Sequence, residues 1–315
     1  MSNKWAVVVP SNRPSAMEDF KAAWHGIFKH NNADLNIVWD TPPFRDKNLP
    51  YFIPKETDMI RSWGFYQAWK KGADYILTLD DDVRPMGCAE APDDIISAYG
   101  PHFDLPYPCS NYLSVGSLTD THSEMRGFPY KDRNGYVVIQ YGGWNGTADY
   151  DAATQLTGFT LKDARFSPVV LPVPRGVAAT TCSMNFAFNA KYTPIMWQLP
   201  LLDGRYNRVG DIWSGVFIKK VLDSRNEVML INGKASVQHD RASNPITNWK
   251  KEAPGMRITE GLWDAIAEPP KHLNLIQSYQ YVTDDAYNYF CEFDEEYADH
   301  FIACRDQWLE LCSRG

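Results

Sequence analysis

The stretch YILTLDDDVRP, residues 75 to 85, constrains the chain more than any other: five mostly apolar residues stop abruptly at three adjacent carboxylates, Asp80, Asp81 and Asp82. A short apolar run with such a boundary reads as a buried strand. Neighbouring carboxylates repel unless positive charge sits among them, so the strand has to end where cations collect. Alternation along an extended chain sends Asp80 and Asp82 to one side and Asp81 to the other. Two converging carboxylates suit a hard divalent cation, Mn²⁺ or Mg²⁺, which takes oxygen ligands and neutralises a diphosphate at its remaining positions. An isolated triplet on a loop would read as a solvated acidic turn; its place directly after a strand favours the metal.

The residues before the triplet supply the frame. WAVVVP, residues 5 to 10, reads as a buried strand, and Ser15 with Glu18 predicts a capping box opening a helix with Phe20, Ala23, Trp24, Ile27 and Phe28 on its apolar face. Leu35 to Trp39 is the next strand, and Thr57 is placed to cap a helix carrying Ile60, Trp63 and Ala68 that closes at Gly72. Strands alternating with helices predict an α/β fold with a doubly wound, mostly parallel sheet, in which ligands bind beyond the carboxyl ends of the strands. Asn12, Arg13, Asp40 and the triplet all map to that edge. The first turn, PSNRPS, lacks a glycine fingerprint, which disfavours a dinucleotide fold of that kind. Farther on, VVLPVP, MNFAF and EVMLI read as strands, and residues 211 to 222 as a helix with Ile212, Trp213, Val216, Phe217 and Val221 inward. With no linker or repeat to cut at, one nucleotide-binding catalytic domain is expected over residues 1 to 255, with residues 256 to 315 a helical C-terminal extension packed on it.

Charge and composition exclude several function classes. The 39 acidic residues outnumber the 31 Lys and Arg, and no basic run overrides that balance, so nucleic acid is not an expected partner. No window approaches the roughly 18 apolar residues of a membrane span, and the opening MSNKWAVVVPSNRP is too quickly polar for a secretory signal; a cytoplasmic protein is expected. The 6 cysteines are far apart without a C-x-x-C pair, and are expected to be reduced. A second cluster, SVQHDRASNP at residues 236 to 245, offers His239 as a nitrogen ligand to complete the metal site with Asp80 and Asp82. Arg241, Ser243, Asn244, Lys250 and Lys251 add donors suited to a diphosphate, although the two lysines alone would pass for a solvated face.

The D-x-D arrangement is that of glycosyltransferases using nucleotide sugars. Longer blocks carry a more specific likeness: VVVPSNR, IVWD, RSWG followed by YILTLDDD, MRGFPYKDR, DYDAATQL, CSMNFAF, GDIWSG and HDRASNPITNWKKE. In this order they resemble the reversibly glycosylated polypeptides of plants, the UDP-arabinopyranose mutases, over most of the chain. The resemblance implies a GT-A type fold, a UDP-sugar substrate, and interconversion of UDP-arabinopyranose and UDP-arabinofuranose. It further implies that Arg126 becomes reversibly glycosylated and that Arg133, seven residues on, is also needed. A guanidinium is a poor nucleophile, so glycosylation of Arg126 calls for nearby carboxylates, with Asp149, Asp151 and Asp211 the candidates. On residue type alone, both arginines would read as surface or ion-pair residues.

The chain departs from the family where paired acids precede a helix: it has GDIWSG, leaving Asp211 alone, with GRYN displaced upstream. The expected site therefore comprises Arg126, Arg133 and Asp211 for catalysis; Arg13, Asp40, Arg61, Asp80, Asp81 and Lys250 for the nucleotide; and Asp80, Asp82 and His239 for Mn²⁺ or Mg²⁺. Tyr130, Trp144, Asn145, Asn185 and Trp213 are candidates for lining a sugar subsite and equally for the core. Two other functions fit the same residues: a transferase passing the sugar to a separate acceptor, and a silent UDP-sugar-binding partner subunit. A homo-oligomer is compatible with all three.

Overall fold

Strand β1 (Trp5–Ser11) leads into helix α1 (Pro14–His30) and strand β2 (Asp34–Trp39). The computed structural model describes residues 3–54, 57–86, 94–119, 124–147, 149–157, 163–241 and 244–314. The apolar stripe of α1 buries Phe20, Trp24, Ile27 and Phe28, as the pattern requires. The expected capping box is not formed: Arg13 stands at the N-cap without a side-chain bond, and Pro14 begins the helix. Proline's fixed φ and missing N–H suit a first helical position, which moves the start ahead of Ser15.

Helix α2 (Ile60–Lys70) and strand β3 (Tyr75–Leu79) follow, linked through Gly72 at φ +79°. Thr57 supplies the carbonyl of the preceding turn rather than a side-chain cap. At Gly64, a Cβ would stand 2.4 Å from Val8 and 2.5 Å from Val38. The missing side chain lets α2 lie directly on β1 and β2, which carries Arg61 to the carboxyl end of β3.

The remaining elements are β4 (Val83–Pro85), α3 (Ile95–Asp104), β5 (Tyr136–Gly146), α4 (Ala152–Leu156), β6 (Val170–Pro172), β7 (Asn185–Asn189), α5 (Gly210–Ser224), β8 (Glu227–His239), α6 (Pro245–Ala265), α7 (Leu275–Cys291) and α8 (Glu295–Ser313). The eight strands form one sheet in the order β2-β1-β3-β7-β5-β8-β4, with β6 paired to β8. The α/β architecture is as the sequence predicts, and the longest ladders, β1–β2 and β5–β8, are parallel. Antiparallel joints enter through β7, which runs opposite to both β3 and β5, and through β4 and β6 on β8.

Helices α7 and α8 bury Tyr279, Phe290, Tyr297, Phe301 and Trp308 in the same core as Phe186, Trp213 and Phe217. Each such side chain stabilises the packed state by about 1.5–3 kcal/mol. The expected division after residue 255 falls inside α6, where a Cβ on Gly255 would stand 3.2 Å from Trp213 and Val209. Among the described residues no helix is long and apolar enough to cross a membrane. Cys109, Cys182, Cys291, Cys304 and Cys312 are free thiols; Cys88 lies outside the described residues.

Candidate active site

The acidic triplet occupies the turn between β3 and β4, and each of its carboxylates is bound by arginine. Arg61, 3% exposed, donates to Thr78 Oγ1, to the Leu79 carbonyl at 3.3 Å and to Asp80 Oδ1. Arg13, just beyond β1, forks onto Asp81 and reaches Asp82 Oδ2 at 3.1 Å, while Arg241 donates to the same Asp82 oxygen at 2.9 Å. Asp81 also accepts from Ser11 Oγ. Burial raises the carboxyl pKa of Asp82, but hydrogen bonds from Arg241 and Arg13 outweigh it and hold the group below its ordinary value. The repulsion inherent in D-D-D is thus relieved by three arginines from three distant segments.

Antiparallel pairing of β4 on β8 sets Val83 opposite His239 and so brings Asp82 beside the imidazole. His239 Nδ1 donates to the Thr147 carbonyl at 2.9 Å. In the neutral ring that bond leaves Nε2 with its lone pair, the form a metal ligand requires. Among the described residues no group of three His, Cys, Asp or Glu side chains could hold a metal ion by itself. Asp80, Asp82 and His239 thus do not form the three-ligand set the sequence suggests, because Arg61, Arg13 and Arg241 occupy the two carboxylates. Asp82 and His239 would suit a Mn²⁺ or Mg²⁺ only with substrate phosphates supplying the other ligands.

Beyond the turn opens a cavity of about 700 Å³, lined among others by Asp58, Arg61, Asp80, Asp149, Arg208, Asp211 and Glu252. Asp211 lies in the first turn of α5. Its Oδ2 accepts from Ser183 N at 2.8 Å and its Oδ1 from Ile212 N at 3.0 Å. A Cβ on Gly215 would stand 2.3 Å from Thr181 N, so only a glycine lets the segment bearing Ser183 press onto α5. Burial, then the charge of Asp58, pushes the Asp211 carboxyl from 3.8 up to about 7. Arg208 donates from Nε to Glu252 Oε1 at 2.8 Å and from Nη2 to Asp149 Oδ1 at 3.4 Å.

The fold gathers Arg61, Asp80 and Asp211 around one cavity and sets Arg13, Asp81, Asp82 and His239 at its acidic turn. Asp149, Asp151 and Lys251 also line it. Lys250 is exposed on α6 and outside the lining, because a step along a helix turns the side chain away. Asp40 is buried just past β2, its N–H bonded to the Ser11 carbonyl, and does not line the cavity. Ser243 lies outside the described residues. The aromatic and amide candidates for the sugar subsite are not in the lining. Trp213 is fully buried and bonded to Thr259, Asn185 bridges carbonyls inside the sheet, Asn145 and Trp144 pack against Phe166, and Tyr130 is 83% exposed. Tyr141 and Tyr150 line the cavity in their place.

Arg126 and Arg133 are not in this cluster. They lie in the loop before β5, Arg126 exposed and Arg133 stacked 4.0 Å over the Tyr130 ring with Nη2 on the Phe128 carbonyl. In the β5–β8 ladder Tyr136 pairs with Glu227, whereas Gly146 pairs with His239. The 11 residues of β5 thus separate the Tyr136 end, which the arginine-bearing loop enters, from the acidic turn by roughly 30 Å at strand rise.

The sequence profile of the family described as "Reversibly glycosylated polypeptide" matches residues 51–310. "Probable UDP-arabinopyranose mutase 1" of Pisum sativum is 33% identical over 281 residues, covering 79% of this chain and 73% of that protein. "UDP-arabinopyranose mutase 3" of Arabidopsis thaliana is 28% identical, covering 79% and 74%, and "Probable UDP-arabinopyranose mutase 2" of Solanum tuberosum is 27% identical, covering 98% and 91%. Similarity to solved structures is slight. A Drosophila galactosyltransferase 7 crystallised with manganese, UDP-Gal and xylobiose aligns at a TM-score of 0.36 and 10% identity, over 76% of this chain and 71% of that one.

Proposed function

The chain belongs to the reversibly glycosylated polypeptide family, and on that premise we propose that it interconverts UDP-arabinopyranose and UDP-arabinofuranose in the cavity between Asp80 and Asp211. The observation that carries this reading is the joining of an arginine-held acidic turn to a cavity whose lining holds the buried Asp211 carboxyl, raised to about 7. Arg13, Arg61 and Arg241 position the turn and supply the positive charge a diphosphate needs. Asp82 and His239 would hold a Mn²⁺ or Mg²⁺ together with the diphosphate's own oxygens, the ion supplying charge stabilisation for the departing diphosphate.

Changing ring size needs one proton moved, from the 4-hydroxyl that closes the furanose to the ring oxygen that leaves the pyranose. A carboxyl that titrates near neutrality can both accept and return that proton, and Asp211 is assigned this task. In this reading the anomeric carbon is parked on Arg126. The C1–N bond forms as the C1–O bond to UDP breaks, the guanidinium proton passes to a cavity carboxylate, and both changes reverse when UDP returns. Because Arg126 stands at the other end of β5, it serves the cavity of a second copy. Two features support that arrangement: the loop carries Arg126, Lys131 and Arg133 against a cavity rich in acids, and its segment exposes Tyr112, Leu113, Met125, Tyr130 and Tyr136.

Incubation of the purified protein with UDP-arabinopyranose and Mn²⁺, followed by chromatography, tests the proposal. UDP-arabinofuranose should form without an added acceptor and chelator should suppress it. Consumption only in the presence of an acceptor would identify a transferase instead.

A further inference from the structure

Arg208 has no precedent in the local sequence pattern, yet it stands in the cavity wall at the end of a strained stretch. Between residues 203 and 208 three residues other than glycine adopt left-handed backbone: Asp203 at φ 50°, Tyr206 at 60° and Arg208 at 68°. Such conformations persist only when the surroundings over-determine them. Here the C-terminal helices do so. Tyr206 donates its hydroxyl to Asp294 at 2.8 Å and packs 4.3 Å from the Tyr297 ring, while Arg205 bonds Asp294 and Glu296 at 2.6 Å each.

What the strained link achieves is the aim of one guanidinium. Nε is fixed by Glu252, whose other oxygen accepts from Ala152 N at 2.8 Å, and Nη2 reaches Asp149. Nη1 has no partner among the described residues, and the side chain is about a third exposed within the cavity lining. A guanidinium has five donor hydrogens, so donors remain for a ligand. The type of ligand follows from the company. An anion is held by guanidinium charge that neighbouring carboxylates do not already neutralise. Arg208 stands beside Asp149 and Glu252 with Asp151 in the same wall, a mixture of donors and acceptors. Hydroxyl groups both donate and accept, so this wall is complementary to a polyol.

We propose that Arg208, braced by Glu252 and Asp149, is the specificity-determining residue of the sugar subsite, donating to pentose hydroxyls and making no contact with UDP. The assignment rests on the UDP-sugar reading above and deepens it.

The test is calorimetric titration of wild type, Arg208→Ala and Arg208→Lys with UDP and with UDP-arabinopyranose, each with Mn²⁺. Arg208→Ala should bind UDP within about twofold of wild type and bind the UDP-sugar about tenfold or more weakly, with Arg208→Lys in between. An unchanged ratio of the two affinities would overturn the assignment while leaving the UDP-sugar reading in place. Wild type that binds neither ligand would overturn both. Should the variants fail to fold, phenylglyoxal modification of wild type read by mass spectrometry decides: UDP-arabinopyranose should protect Arg208 and UDP should not. Equal protection by both contradicts the proposal.

Discussion

The two ends of the β5–β8 ladder are built on opposite principles. At the His239 end, charges from the β1–α1 junction, α2, the acidic turn and the start of α5 converge, and arginines hold every carboxylate of the triplet in place. At the Tyr136 end, a loop carries Arg126 in the open, flanked by tyrosines and aliphatic side chains in solvent. The first end is organised by contacts within one chain. The second leaves apolar area uncovered, and a contiguous exposed apolar patch marks a surface that something covers. Perturbations of equal size should therefore register as stability at one end and as association at the other.

The largest intramolecular effect is expected at Asp211. Its pKa of about 7 in the fold, against 3.8, means that the native state binds the proton more tightly than the unfolded chain does. Stability is then fully present below pH 4 and falls as pH rises through 7, by about 4 kcal/mol at most. Asp211→Asn should flatten that slope, measured as Tm between pH 4 and 8.5; an identical slope in the variant would show that other groups set it.

Arg61 comes next. Arg61→Met strips bonds from Thr78, the Leu79 carbonyl and Asp80 at once. Because Asp80 retains 36% side-chain exposure, the full cost of breaking a buried pair does not apply, and a loss of about 2–3 kcal/mol in denaturant unfolding is expected, with UDP binding abolished. Unimpaired UDP binding would separate the acidic turn from the nucleotide.

Much of the His239 end is legible in the sequence. The run Tyr75–Leu79 is a strand with the bounds its apolar residues give it, and Arg13, Asp80, Asp82 and His239 meet where a doubly wound sheet places its ligands. Other parts depend on partners distant in the chain. The central strand β5 is hidden by Gly142 and Gly143, which break its apolar pattern. They are glycines because a Cβ there would stand within 2.5 Å of Tyr99, Asn185, Phe166 and Ser236. Arg208 acquires its role from Glu252 and Asp149, 44 and 59 residues away, and no local spacing announces that. The separation of Arg126 from the cavity is equally invisible until the register of β5 on β8 is known.

The smallest effect on folding is expected at the other end. Tyr130→Ser, at a side chain 83% exposed, should change unfolding free energy by less than about 0.5 kcal/mol. The same change should weaken self-association in sedimentation velocity, and a monomer–oligomer balance identical to wild type would remove the loop from the interface.

The cooperation of the two ends across copies is tested most directly by mixing two variants that are each inactive alone. Arg126→Ala retains the cavity and lacks the loop guanidinium; Asp211→Asn retains the loop and lacks the proton carrier. If a loop serves a neighbour's cavity, random co-assembly places an intact loop at an intact cavity in about a quarter of interfaces, since such head-to-tail contacts use two different patches. Conversion of UDP-arabinopyranose to UDP-arabinofuranose by the equimolar mixture should then rise to roughly that fraction of the wild-type rate. A mixture no more active than the mean of the two separate variants, or full turnover by Arg126→Ala alone, would contradict it.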